Sequence, residues 1–212
     1  KELTALNYYT NEEITIPLDP TQTPGENAQR YFAKYNKQKR TFEALTELIQ
    51  ETADDIQYLE SISNALDIAL NEADLAQIKE ELMQSGYIRR KHTKKKVKLT
   101  SKPMHYISSD GYDMYVGKNN LQNEELTFSF ANGNDWWFHA KGAPGSHVIV
   151  KSGGDELPDR TFEEAGRLAA YYSKNRGADK VEIDYIQKKH VKKPNGAKPG
   201  FVVYYTNYSL VI

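Results

Sequence analysis

Asp135-Trp136-Trp137-Phe138-His139-Ala140-Lys141-Gly142-Ala143-Pro144-Gly145-Ser146-His147-Val148 reads as a strand, a tight loop and the start of another strand. Three consecutive aromatic residues end a strand. A loop with two glycines, a proline and a lysine follows, and a second strand begins at His147. Strand alternation sends Trp137 to one face and Trp136 with Phe138 to the other. Trp136 and Phe138 are the pair expected in the core. On either side, further strands are predicted at 104–107, 112–116, 180–186 and 201–205. Helices are predicted over 119–130 and from about 161 to 176, where Gly177 stops the second. The expectation is a mixed α/β domain over residues 103–212.

The N-terminal half reads differently. Residues 1–25 form an extended lead-in, with Ile14 and Ile16 alternating about Thr15 before Pro17, Pro20 and Pro24. From residue 26, Ala28, Tyr31, Tyr35, Phe42, Leu45, Ile49, Ile56, Leu59, Leu66, Leu70 and Ala73 recur at alternating steps of three and four. That spacing predicts a coiled-coil seam. Asp74 with Gln77 suggests a capping box for a second helix with a Leu75, Ile78 and Leu82 stripe, ended by Gly86. This helix is too short to cover the long one, and an isolated helix cannot bury such a stripe. The expected partner is an upstream coiled-coil helix of the same protein, or a second copy. The fold class is therefore α+β: a coiled-coil arm over 26–87, a basic connector over 88–102, and the α/β domain.

A net charge of −1 conceals segregation. Residues 89–102 include Arg89, Arg90, Lys91, Lys94, Lys95, Lys96, Lys98 and Lys102 with no acid among them. Arg30, Lys34, Lys37, Lys39 and Arg40 form a second acid-free run, and Lys188, Lys189, Lys192, Lys193 and Lys198 a third. Polyanions respond to local fields of this kind and not to the chain average. The absence of cysteine excludes disulfides, zinc–thiolate sites and a cysteine nucleophile. No run of 18 apolar residues occurs, so no membrane span is expected. The chain opens on Lys1 without methionine, which suggests a fragment of a longer protein.

Three stretches could carry chemistry. In the 139–147 loop, glycines allow close backbone approach, while His139, Lys141, Gly145, Ser146 and His147 surround it. Neighbouring aromatic faces could stack on unpaired bases. The plainer reading is core aromatics and an ordinary turn. The second stretch, 188–200, sets lysines about Asn195-Gly196 and Pro199-Gly200 turns, where they could track a phosphate backbone or merely be solvated. The third places Lys118 and Asn119 where a strand meets a helix start; Asn119 could equally be an N-cap. No nucleotide-binding, hydrolase or zinc-protease motif is present. In Gly142-Ala143-Pro144-Gly145-Ser146 the serine follows the glycines and opens a strand, unlike a nucleophile elbow. Asp135, His139 and His147 could in principle hold a metal, but satisfied or solvent-facing histidines are the simpler account. No enzyme activity, metal or cofactor is expected.

Residues 112–205 resemble the NFACT-R domain through 115–120, 135–150, Ala169-Ala170-Tyr171-Tyr172-Ser173, Asp184-Tyr185 and 191–204. Ile16-Pro17-Leu18-Asp19-Pro20 and Asn27-Ala28-Gln29-Arg30-Tyr31-Phe32 resemble the start of the middle coiled coil of the same NFACT family. The resemblance implies a cytoplasmic role in ribosome-associated quality control. Such proteins bind the large ribosomal subunit and recruit alanyl-tRNA, so that a stalled chain gains a C-terminal alanine tail. It also implies that the upstream NFACT-N domain lies outside this chain. The RNA-binding role is carried by motif match onto Lys118, Asn119, His139, Lys141, Gly145, Ser146, His147, Lys192, Lys193 and Lys198. Arg89, Arg90, Lys94, Lys95, Lys96, Lys188 and Lys189 join them on charge. Some streptococcal members also carry a fibronectin-binding name, so the competing expectation is an adhesin for host fibronectin, displayed by an unconventional route.

Overall fold

A computed structural model describes residues 1–89 and 101–212. Two compact units result, Lys1–Asp54 and Asp55–Ile212, and their boundary falls inside the first helix.

In the first unit the lead-in is a two-stranded hairpin. Strand β1 (Glu2–Leu6) pairs antiparallel with β2 (Glu13–Pro17), and Asn11 takes a positive φ of 57° in the turn. Helix α1 (Pro24–Ile68) begins at a reciprocal cap. Glu26 Oε2 accepts from the Thr23 N–H at 2.7 Å, and Thr23 Oγ1 accepts from the Glu26 N–H. Pro24 stands where a missing N–H costs nothing. Phe32, Tyr35, Phe42, Leu45 and Ile49 all lie exposed along this helix, Phe42 by 72%.

The second unit holds the rest of α1, helix α2 (Glu72–Gln84) and an antiparallel sheet. The capping box lies three residues earlier than expected. Asn71 Oδ1 accepts from the Asp74 N–H, while Asp74 Oδ2 takes the Leu70 N–H. At the other end the Tyr87 N–H reaches the Leu82 carbonyl and Gly86 takes φ +83°, a Schellman closure. The α1 stripe packed by α2 is Tyr58, Ile62 and Ala65 against Ile78, not the expected seam. Ile56, Leu59, Leu66 and Leu70 remain exposed. Among the described residues there is thus no long coiled coil, only a helical hairpin. The heptad stripe and the docked stripe are different faces of one helix.

The expected α/β domain is present, and its sheet is antiparallel throughout. Its strands are β3 (Met104–Ile107), β4 (Asp113–Val116), β5 (Trp136–Ala140), β6 (Val148–Val150), β7 (Glu182–Gln187) and β8 (Tyr208–Val211), in spatial order β3-β4-β6-β5-β7-β8. On one face lies a helix spanning Asp159–Tyr171, which packs Ala165 and Ala169 with Phe138, Val148, Val150 and Ile183. The opposite face is covered by helix α3 (Asn120–Glu125), the π-helical turn Leu126–Phe130 that continues it, and the segment that follows β7. The Asp159–Tyr171 helix is therefore α4. Leu126, Val191, Val202 and Tyr204 pack on the α3 side against Trp137, Ile149 and Ile186. Phe138 is fully buried as expected, and Trp136 is half-buried against Phe162.

Two element boundaries move for tertiary reasons. Helix α4 stops at Tyr171, short of the expected Arg176, because residues 172–174 peel away to pair with 144–146. The Ser146 N–H donates to the Tyr172 carbonyl and the Lys174 N–H to the Pro144 carbonyl, both at 2.9 Å. Residues 201–205 form no strand. Only Val203 makes a bridge, to Lys192, and the slot beside β7 goes to Tyr208–Val211.

Candidate nucleic-acid interface

The 139–147 loop and residues 200–204 face each other across a recess of about 200 Å³. Asn123 locks the loop from below. Its Oδ1 accepts from the His147 N–H at 2.9 Å, and its Nδ2 donates to the Gly145 carbonyl. The α3 backbone can come that close because residue 117 is glycine; a Cβ there would lie 2.2 Å from Asn123 Oδ1. Gly145 is held against Ser173, where a Cβ would meet the serine Cβ at 3.0 Å.

Trp137 forms the floor. Its ring lies parallel to His139 with centroids 5.6 Å apart, and meets His147 edge-on at 5.0 Å. Trp137 is completely buried, so it cannot stack on a base directly. Burial pulls the His139 pKa down to about 4, against the pull of Asp184. Burial also pushes His147 well below its ordinary value, with His139 adding to the shift. Both rings are therefore neutral at physiological pH. His147 Nδ1 sits 2.8 Å from Thr127 Oγ1. Among the described residues no group of His, Asp and Glu is placed to hold a metal, and Asp135 instead pairs with Lys151.

Most of the expected site residues fall into three sets. Lys118, Asn119, Ser146 and His147 are buried, which corrects the expectation that they meet a ligand at the surface. Lys118 Nζ lies 2.5 Å from Asp74 Oδ1, and Asn119 caps α3 while donating to Gln77. A second set is exposed or half-exposed but paired with carboxylates. Lys141 meets Glu182 at 3.0 Å, Lys193 meets Glu124 at 2.7 Å, and Lys198 bonds Asp55 while its ammonium stands over Tyr58 and Tyr87. Burial would lower the Lys198 pKa, but the Asp55 and Tyr87 bonds outweigh it and raise it. Exposed pairs of this kind are worth at most about 1 kcal/mol and exchange readily. The third set is Arg89, Lys188, Lys189 and Lys192, which have no carboxylate partner among the described residues. Lys188 stands over Phe128. Arg90, Lys94, Lys95 and Lys96 lie outside the described residues.

Sequence reasoning missed Gln57, Asn123 and Tyr204, which line the recess. One signal was available. Asn119-Asn120-Leu121-Gln122-Asn123 places four amides on barely one helical turn, a density that calls for buried hydrogen-bond partners.

Residues 1–101 match the NFACT N-terminal and middle domains, and residues 102–205 match the NFACT protein RNA binding domain. The chain belongs to the NFACT family. A solved structure, the C-terminal part of the fibronectin/fibrinogen-binding protein from Streptococcus suis, superposes with a TM-score of 0.81 at 44% identity. The match covers 91% of this chain and 77% of that one. The Rqc2 homolog RqcH of Streptococcus pneumoniae serotype 2 is 49% identical over 199 residues, 93% of this chain and 36% of its own length. The Rqc2 homolog RqcH of Bacillus subtilis strain 168 is 42% identical over the whole chain and 38% of its own length. The chain thus spans little more than a third of these curated NFACT relatives.

Proposed function

We propose that this chain is the RNA-engaging C-terminal part of a cytoplasmic ribosome-associated quality-control factor, acting by binding and not by catalysis. In the longer protein it supports alanyl-tRNA recruitment to the large ribosomal subunit and alanine tailing of stalled chains. The observation that carries this reading is Lys188, Lys189 and Lys192, exposed or half-exposed and without a carboxylate partner among the described residues, within the segment matching the family's RNA binding domain. Support for a ribosomal setting comes from the RqcH relatives.

The test is affinity for tRNA and large-subunit RNA as a function of salt. Three phosphate contacts correspond to a loss of about 40-fold between 50 and 200 mM salt. Replacing Lys188, Lys189 and Lys192 with glutamate should weaken binding and flatten that slope. Salt-insensitive affinity, or affinity unchanged by the triple replacement, removes this role.

The exposed heptad stripe of α1 supports a second element of the reading, that an upstream helix of the same protein covers it. Hydrogen exchange around Leu45 and Ile49 should then slow in a longer chain that includes the preceding segment. Equal exchange in both chains counts against it.

The fibronectin/fibrinogen-binding name of the Streptococcus suis relative favours one competing reading, adhesion to fibronectin. No described helix is long and apolar enough to cross a membrane. Saturable fibronectin binding that survives ribonuclease treatment and moderate salt would support adhesion; binding that disappears with the RNA would not.

A further inference from the structure

The recess differs from the surface around it in carrying no charge. Its side-chain polar atoms come from hydroxyl, amide, imidazole and phenol groups, among them Gln57, Ser61, Asn123, His139 and Tyr204, and no carboxylate or ammonium group lines it. Both histidines are held neutral by burial. A phosphate would find no cation inside, and a metal ion no anionic ligand. The cations stand just outside, with Lys141 beside Gly142 on one lip and Lys198 near Gly200 on the other.

The interior suits a flat, neutral, hydrogen-bonding ring. His139, which lines the recess, is backed by Trp137 at an interplanar angle of 20°, which fixes its plane. The N–H groups of Gly142 and Ala143 have no acceptor among the described residues. The volume of about 200 Å³ is below the roughly 300–1,000 Å³ of sites for drug-sized ligands. One ring system fits, and a whole nucleotide does not.

The geometry points to a nucleobase pocket: a single unpaired RNA base enters the recess and lies against His139, with its edge toward Gln57 and the loop amides. The phosphates on either side of that base lie toward Lys141 and Lys198, replacing Glu182 and Asp55 as their partners. This deepens the RNA-binding reading and rests on it. It assigns base recognition to an uncharged cavity and leaves backbone tracking to Lys188, Lys189 and Lys192.

The test compares short oligoribonucleotides of A, C, G or U with an abasic ribose-phosphate strand of the same length, by fluorescence anisotropy on the full chain. At least one base-bearing strand should bind about 10-fold more tightly than the abasic strand, the size expected of one stacked base. Gln57→Trp blocks the mouth from an exposed helix position without touching the core. It should reduce that preference to about 2-fold or less while leaving abasic affinity unchanged. His139→Ala should act in the same direction, with thermal unfolding followed in parallel. Equal binding of base-bearing and abasic strands, with salt dependence retained, overturns the pocket and leaves phosphate tracking intact. A preference that survives Gln57→Trp also overturns it. Absence of binding to any strand or to tRNA overturns both.

Discussion

Replacing Asp74 with alanine is expected to destabilise the Asp55–Ile212 unit by about 3–5 kcal/mol, because Lys118 is left buried without its counter-charge. The pair is almost wholly removed from water, with side-chain exposures of 8% for Lys118 and 1% for Asp74. Hydrogen bonds tie the pair to both helices. Ser101 Oγ donates to Asp74, the Gln122 Nε2 donates to Ser101 and Gln77, and Asn119 donates to the same Gln77 oxygen. Close by, Glu81 Oε1 accepts from Tyr58 and from Asn120. This network, more than apolar contact, is what docks α2 on α3. Urea denaturation of the single variant and of Asp74→Leu with Lys118→Met separates the two explanations of the loss. The double variant should recover most of the stability, since the cost lies in the orphaned charge. A single-variant loss under about 1 kcal/mol would show the pair to be dispensable. Burial would raise the Asp74 pKa, but the bonds from Lys118, Ser101 and the Leu70 N–H outweigh it and hold it below its ordinary value. The stabilisation is therefore present above about pH 3.9 and is lost as the pH falls through the lowered folded value.

The second large effect is acid sensitivity from the recess histidines. Burial keeps His139 and His147 neutral in the folded chain, whereas in the unfolded chain each takes a proton near pH 6.5. Their folded pKa values are depressed, so stability is full above about pH 6.5 and falls as the pH drops toward about 4. For His139 alone the loss approaches about 3 kcal/mol, at 1.36 kcal/mol per unit. Glu81 opposes this, because burial raises its pKa despite the bonds from Asn120 and Tyr58. Its contribution grows on acidification and is fully present below about pH 4.3. Equilibrium unfolding at pH 7.5, 5.5 and 4.5 should show a net decline. His147→Gln should make it shallower and Glu81→Gln steeper. A stability that is flat from pH 7.5 to 4.5 in all three proteins would mean that the histidines are not held neutral.

The histidine pair shows how much of the site is legible in the sequence. Glycine spacing and flanking aromatics single out loop residues 139–147, and these do form one wall of the recess. The other wall, at Phe201 and Tyr204, comes from a segment that reads as a strand. Its placement depends on two turns through 194–200 and on Tyr208–Val211 occupying the sheet position first. Local propensity cannot rank two segments of similar β character that compete for one edge. Lys118 is the opposite case. By local criteria, a lysine between a glycine and an N-cap asparagine belongs at the surface, but Asp74, distant in sequence, draws it into the interior. The helical hairpin adds a third lesson. Heptad spacing marks which α1 residues are apolar, while Tyr58 with its bond to Glu81 decides which stripe α2 covers.

The long helix, the shift to strands after residue 103, the alternation that buries Phe138, the tight loop at Gly142 and Gly145, and the clustering of lysine all follow from the amino-acid order. All of these are properties of short windows, governed by periodicity, glycine conformation and composition. Long-range packing made the sheet antiparallel and covered it on both faces. It alone paired Lys141, Lys193 and Lys198 with acids from elsewhere in the chain and hollowed an uncharged recess between two loops. Those outcomes depend on which distant groups share a dielectric environment and a hydrogen bond, and no local pattern encodes that.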